Sequence, residues 1–240
     1  MIDDALRRDP PAARAEWLAE WRDDIAAFLS RELIESAVER GVTVRPPEAG
    51  VEYFAFADPS GGLGDSFTAA IAHRDADGKA ILDCLHEVRA PFDPAVATRE
   101  IAATLKAYGV TKVIADKYAA LWPVSEFSRN AITLEHSERD RSAIYADFLP
   151  LLTSGRARLL DAPRLVGQFC NLERKASPSG KDRIDHPQGA HDDLSNSAAG
   201  ALVLAGDWGT YDNTLDWVGV PESFAGQPYF ARLGGLPWPQ

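Results

Sequence analysis

Three acidic positions stand where side chains can converge. Asp58 follows the apolar, aromatic run Val51 to Ala57, Asp116 follows the short run Lys112 to Ala115, and Asp192 and Asp193 head a helical run that continues to about Ala205. Ends of neighbouring strands in an α/β sheet meet at one rim, where sites are built. Carboxylates gathered there raise one another's pKa unless cations neutralise them, and hard oxygen ligands suit Mg²⁺ or Mn²⁺. Two such ions about 4 Å apart can activate a water and stabilise a leaving oxygen, which is phosphodiester chemistry. Each position also has an ordinary reading. Asp58 before Pro59 can open a turn, Asp116 can cap a following helix, and Asp192 or Asp193 can cap the last one. The order strand, strand, helix is what sets the three apart.

The elements that position these residues are readable in outline. Val51 to Ala57, Phe67 to Arg74 and Ala80 to Arg89 read as strands, the last two joined by a hairpin through Asp75-Ala76-Asp77-Gly78. A helix around Val96 to Tyr108 is closed by Gly109, and the strand Lys112 to Ala115 follows. Further helices are expected over Trp122 to Arg129, Asp140 to Ser154, Arg164 to Arg174 and His191 to Ala205. Short strands are expected at Ala131 to Leu134 and Arg158 to Leu160, and a loop at Ala176 to Ala190. Apolar residues at helical spacing from Ala12 to Glu39, with an interruption near Ser30, predict a helical or partly helical N-terminal arm, and linker residues complete 1–50. The main domain is expected over 51–206, and 207–240 is an aromatic, proline-rich tail.

Composition bounds the function. A hydrophobic fraction of 45% and a charged fraction of 25% are globular values. The net charge of −11 argues against a surface that binds nucleic acid everywhere. From Arg139 to Arg183, however, nine basic residues face five acidic ones. Within that stretch Arg174, Lys175, Lys181 and Arg183 flank the expected loop and are candidate phosphate contacts; a solvated charged loop is the bland alternative. No run of 18 apolar residues and no signal-peptide pattern occurs, so a cytosolic protein without a membrane anchor is expected. Cys84 and Cys170 form no metal or disulfide pattern. His186, His191 and Asp192 lack a standard zinc spacing, His191 is a candidate proton carrier, and Ser60 and Ser66 lack a nucleophile motif.

The segments DPSGG (Asp58 to Gly62), ADKYAALW (Ala115 to Trp122) and SGKDRIDHPQGAHDDLSNSAAGAL (Ser179 to Leu202) resemble the nuclease domain of the phage terminase large subunit over about residues 51 to 206. The stretch WRDDIAAFLSRELIESAV resembles the connection that precedes that domain. The resemblance implies an α/β ribonuclease H-like mixed sheet flanked by helices, with the helical arm in front. It implies a metal-dependent endonuclease that cuts concatemeric double-stranded viral DNA in the host cytoplasm, using two Mg²⁺ or Mn²⁺ ions. Asp58, Asp116, Asp192 and Asp193 are then the catalytic metal ligands, with Asp192 slightly favoured over Asp193. A portal and a small terminase subunit are the implied partners. The phosphate-loop motif of the family's packaging ATPase is missing: Gly180-Lys181 is the nearest candidate, but Lys175 and Asp182 occupy the neighbouring key positions. Three readings rival it: a RuvC-like resolvase or transposase with the same acidic site, an actin- or sugar-kinase-like ATPase that lacks its second phosphate loop here, and a non-catalytic docking module.

Overall fold

The computed structural model describes residues 25–116, 121–175 and 183–206. The arm before residue 25, Lys181 and the tail 207–240 lie outside the described residues. Ten strands and six helices follow in the order β1 (Ile25–Ala27), α1 (Arg31–Ala37), β2 (Val38–Glu39), β3 (Tyr53–Asp58), β4 (Phe67–Arg74), β5 (Ala80–Val88), α2 (Pro94–Ala107), β6 (Lys112–Ala115), α3 (Leu121–Arg129), β7 (Thr133–His136), α4 (Arg141–Thr153), β8 (Ala157–Leu160), α5 (Pro163–Cys170), β9 (Glu173–Lys175), β10 (Arg183–Asp185) and α6 (Asp193–Gly206).

Seven strands form one mixed sheet in the order β2-β8-β5-β4-β3-β6-β7. Only β4 runs against the rest: its pairings with β3 and β5 are antiparallel, while β2–β8, β8–β5, β3–β6 and β6–β7 are parallel. This polarity puts the C-terminal ends of β3 and β6, and the N-terminal end of β4, on the same rim. The hairpin between β4 and β5 forms as expected, with the Asp75 carboxylate accepting from the N–H groups of Asp77 and Lys79 and Gly78 at φ 80°.

Alternate side chains of the central strands feed two apolar layers. Phe56, Ala70 and Leu82 face α1, α4, α5 and α6, whereas Ala55, Ala57, Phe67, Ala69 and Ile71 face α2 and α3. Helix α6 approaches β3 closely because its inner face is small. A β-carbon on Gly200 would sit 2.3 Å from the Phe56 ring. Gly200→Ala is therefore expected to cost about 1–3 kcal/mol through overpacking and to lower the melting temperature by roughly 3–10 °C. A thermal melt of the purified variant checks this, and an unchanged midpoint would mean that Phe56 yields freely.

The described part of the arm is helical only in part: residues 25–39 give a strand, a seven-residue helix capped by Ser30 and a second strand. These residues belong to the domain core, since Leu29, Ile34, Ala37 and Val38 are buried with it and β2 forms the edge of the main sheet. The helix expected over Arg164 to Arg174 stops at Cys170, and Glu173–Lys175 pairs instead with β1 and with β10, a strand within the expected loop. Segments of three residues such as ERK and RID have no periodic signature; partners distant in the chain make them strands.

Candidate metal centre

Asp58 is the last residue of β3 and Asp116 the first past β6. Because Ala57 pairs with Ala115, parallel register sets the two carboxylates side by side at the rim. Asp192 and Asp193 arrive from the start of α6, which is tied to the sheet by Thr68: its hydroxyl donates to the Asp193 carbonyl at 2.7 Å and lies 2.6 Å from the Ser197 hydroxyl. All four line one open cavity of about 350 Å³, together with Ser60, Asp65, Ser66, Arg141, His186 and His191.

The capping readings of the last pair do not describe what their side chains do. Asp192 gives its carbonyl to the N–H of Asn196, as an N-terminal helix residue does, but its carboxylate points elsewhere. The N–H of Ser195 is satisfied instead by the Gln168 side chain of α5, at 3.0 Å. The Asp192 carboxylate is held by Arg141 at 3.1 and 3.3 Å and by the Tyr145 hydroxyl at 3.0 Å, with His186 Nε2 3.6 Å away. Asp193 turns the other way. Its Oδ2 accepts from the Ser66 N–H at 3.2 Å, and it clusters with Asp65 and His191, their ligand atoms lying within 4.8 Å of one another.

Electrostatics make the centre costly to leave unneutralised. Burial pushes the Asp58 carboxyl up to about 7, against the opposing pull of Arg141 and a 2.9 Å hydrogen bond from Asn196 Nδ2. Burial likewise raises Asp193. Burial beside Asp192 keeps the Tyr145 phenol protonated and donating. Burial opposes the Arg141 charge, but Asp192 and Asp58 outweigh it and the guanidinium is firmly protonated.

The donor set suits a hard divalent cation. Asp58, Asp65, Asp116, Asp192 and Asp193 offer carboxylate oxygens to the cavity, and among the described residues Arg141 is the only lysine or arginine lining it. Of the two histidines, His186 approaches Asp192 while His191 lies 3.2 Å from Asp65, so they do not share a zinc site with Asp192. Sequence reasoning missed Arg141, Asp65, Tyr145 and Asn196. Only Asn196 carried a signal, one turn beyond Asp192 on the same helical face.

Among the described basic candidates, Arg174, Lys175 and Arg183 do not line the cavity. Arg174 and Lys175 are on β9 and Arg183 on β10, with Lys175 opposite Arg183. Strand β10 runs toward the cavity: its last residue, Asp185, is 4.0 Å from Arg141, and the next, His186, lines the cavity.

No protein-family model and no curated protein matches this sequence. Solved structures do match. The magnesium-bound large terminase nuclease of thermophilic phage G20c superposes with a TM-score of 0.60 at 18% identity, covering 74% of this chain and 98% of that one. A mutant nuclease domain of the large terminase subunit gp2 of bacterial virus Sf6, solved with manganese, gives 0.53 at 13% identity, covering 75% and 98%. The HK97 bacteriophage large terminase gives 0.57 at 16% identity over 83% of this chain, which spans 49% of that protein. The likeness shows the fold: the α/β, ribonuclease H-like mixed sheet flanked by helices that the sequence implied.

Proposed function

We propose that the chain is the metal-dependent endonuclease domain of a viral genome-packaging terminase large subunit, hydrolysing phosphodiester bonds of concatemeric double-stranded DNA. The observation that carries this reading is the convergence of Asp58, Asp116, Asp192 and Asp193 on one cavity, in the fold of terminase nucleases that have been solved with magnesium or manganese. Asp58, Asp116, Asp192 and Asp193 would hold two Mg²⁺ or Mn²⁺ ions, Asp192 as the stronger ligand of the last pair, with Asp65 and His191 at the outer side. Bound there, such ions supply an activated water and charge stabilisation for the leaving oxygen. The chain's own contribution is positional. The strand ends fix two carboxylates, Thr68 and Ser66 fix Asp193, and Tyr145 fixes Asp192. His191, half exposed beside Asp65, is placed to carry a proton to solvent.

The decisive experiment is incubation of the folded protein with supercoiled plasmid in Mn²⁺, Mg²⁺ or chelator. Nicking and linearisation only with metal, without strong sequence preference, support the reading; intact plasmid at every metal concentration overturns it. Selective cutting of branched junctions would favour a RuvC-like resolvase. Intact plasmid combined with binding to other packaging proteins would favour a docking module. In the parent assembly the portal and the small terminase subunit are the proposed partners, in the host cytoplasm. No described helix is long and apolar enough to cross a membrane.

DNA is proposed to contact Arg174, Lys175 and Arg183 of β9 and β10, together with Lys181, which lies outside the described residues. Replacing Lys175 and Lys181 by Ala is expected to weaken binding and reduce the salt dependence by about one to two charges' worth of slope. Fluorescence anisotropy across a salt series measures it. An unchanged slope would return these side chains to solvent.

A further inference from the structure

Arg141 is the first residue of α4, whose backbone is anchored by the Asp140 side chain accepting from the Ala143 N–H. Its guanidinium reaches back among the acids. Nη1 lies 3.1 Å from Asp192 Oδ1, Nε lies 3.5 Å from Asp116 Oδ2, and Asp185 is 4.0 Å away. The side chain is 34% exposed, against 5% and 3% for its Asp116 and Asp192 partners, and all three line the cavity. Both Asp192 oxygens are engaged by protein donors, whereas Asp193 accepts one hydrogen bond from the described residues, through Oδ2.

Resting on the nuclease reading above, we propose that Arg141 is a built-in competitor for the metal: its guanidinium neutralises Asp116 and Asp192 when no ion is bound and is displaced from them when the full complement of metal enters. A fixed positive charge beside the ligands opposes a divalent ion directly, and a guanidinium bonded to a carboxylate occupies lone pairs that the ion needs. The centre therefore has two unlike halves. The Asp58, Asp193, Asp65 side takes metal without breaking an arginine ion pair, although His191 stands beside Asp65, and the Asp116, Asp192 side takes it only by moving Arg141. Metal affinity on the second side is traded for order in the metal-free protein.

The test compares the wild-type chain with Arg141→Gln and Arg141→Lys by calorimetric titration with MnCl₂ and by thermal melts in chelator and in Mn²⁺. Arg141→Gln is expected to bind Mn²⁺ at least about tenfold more tightly at its weaker site, to melt lower in chelator, and to gain more from Mn²⁺ than the wild type does. Arg141→Lys keeps the charge and is expected to stay within a few-fold of wild-type affinity. Equal or weaker Mn²⁺ binding by Arg141→Gln, with wild-type binding intact, overturns the competitor role and leaves the nuclease reading standing. Absence of Mn²⁺ binding in the wild type overturns both.

Discussion

Asp58→Asn is expected to eliminate metal-dependent plasmid cleavage, by a factor of about 10³ or more, while making the metal-free protein more stable. The first effect follows from removing a ligand whose position at the end of β3 is fixed by pairing on both sides. The second follows from the raised pKa. An Asp whose carboxyl titrates at about 7 in the folded protein and near 3.9 when unfolded contributes no destabilisation below the unfolded value. The penalty grows as pH rises between the two and is complete above the folded value. Its size is about 2–4 kcal/mol, so Asn at this position should raise the melting temperature by roughly 5–10 °C at pH 8 in chelator. The Asn196 amide can still donate to the new side chain. Repeating the melt at pH 4 should erase the difference, and wild-type cleavage by the variant would remove Asp58 from the site.

Adjacent substitutions at the head of α6 are expected to move stability in opposite directions. Asp193→Asn removes a carboxylate that burial disfavours, so in chelator above the ordinary carboxylate range it should leave the melting temperature unchanged or raise it. Asp192→Asn removes the partner of Arg141 and an acceptor for Tyr145. Breaking a buried pair on one side costs about 3–5 kcal/mol. The cost here should fall toward or below the lower figure because Arg141 is partly exposed and keeps Asp116. Both variants should lose at least about a hundredfold in Mn²⁺-dependent nicking, with Asp192→Asn the more severe. A dead Asp193 variant beside an active Asp192 variant would reverse that ranking, and equal melting shifts would contradict the geometry.

The legible parts of this molecule were those with local grammar. Apolar runs ending in Asp58 and Asp116, the Asp-Gly hairpin, and the small face of α6 can all be read within a window of ten residues. Strand ends and a helix start then imply a rim. What escaped was contact between windows. Arg141 lies 51 residues before Asp192 and looks like any surface arginine opening a helix. Tyr145 carries the pattern of a core aromatic and gives no hint that its hydroxyl serves Asp192. Asp65 sits among glycines as a turn residue would. The N-terminal segment misled for a related reason: Ile25, Leu29 and Ile34 fit a helical stripe, but β9 offers the chain an edge to pair with.

Gln168 has a bearing on regulation that reaches beyond its own hydrogen bond. The head of the last helix is secured in part by an uncharged amide reaching over from α5, so one of its anchors is independent of the acids. Acid, chelation or substitution can change the electrical state of the acids without removing that hydrogen bond. On the proposed metal-binding reading, the helix head keeps this neutral anchor whether the acids are charged, protonated or occupied.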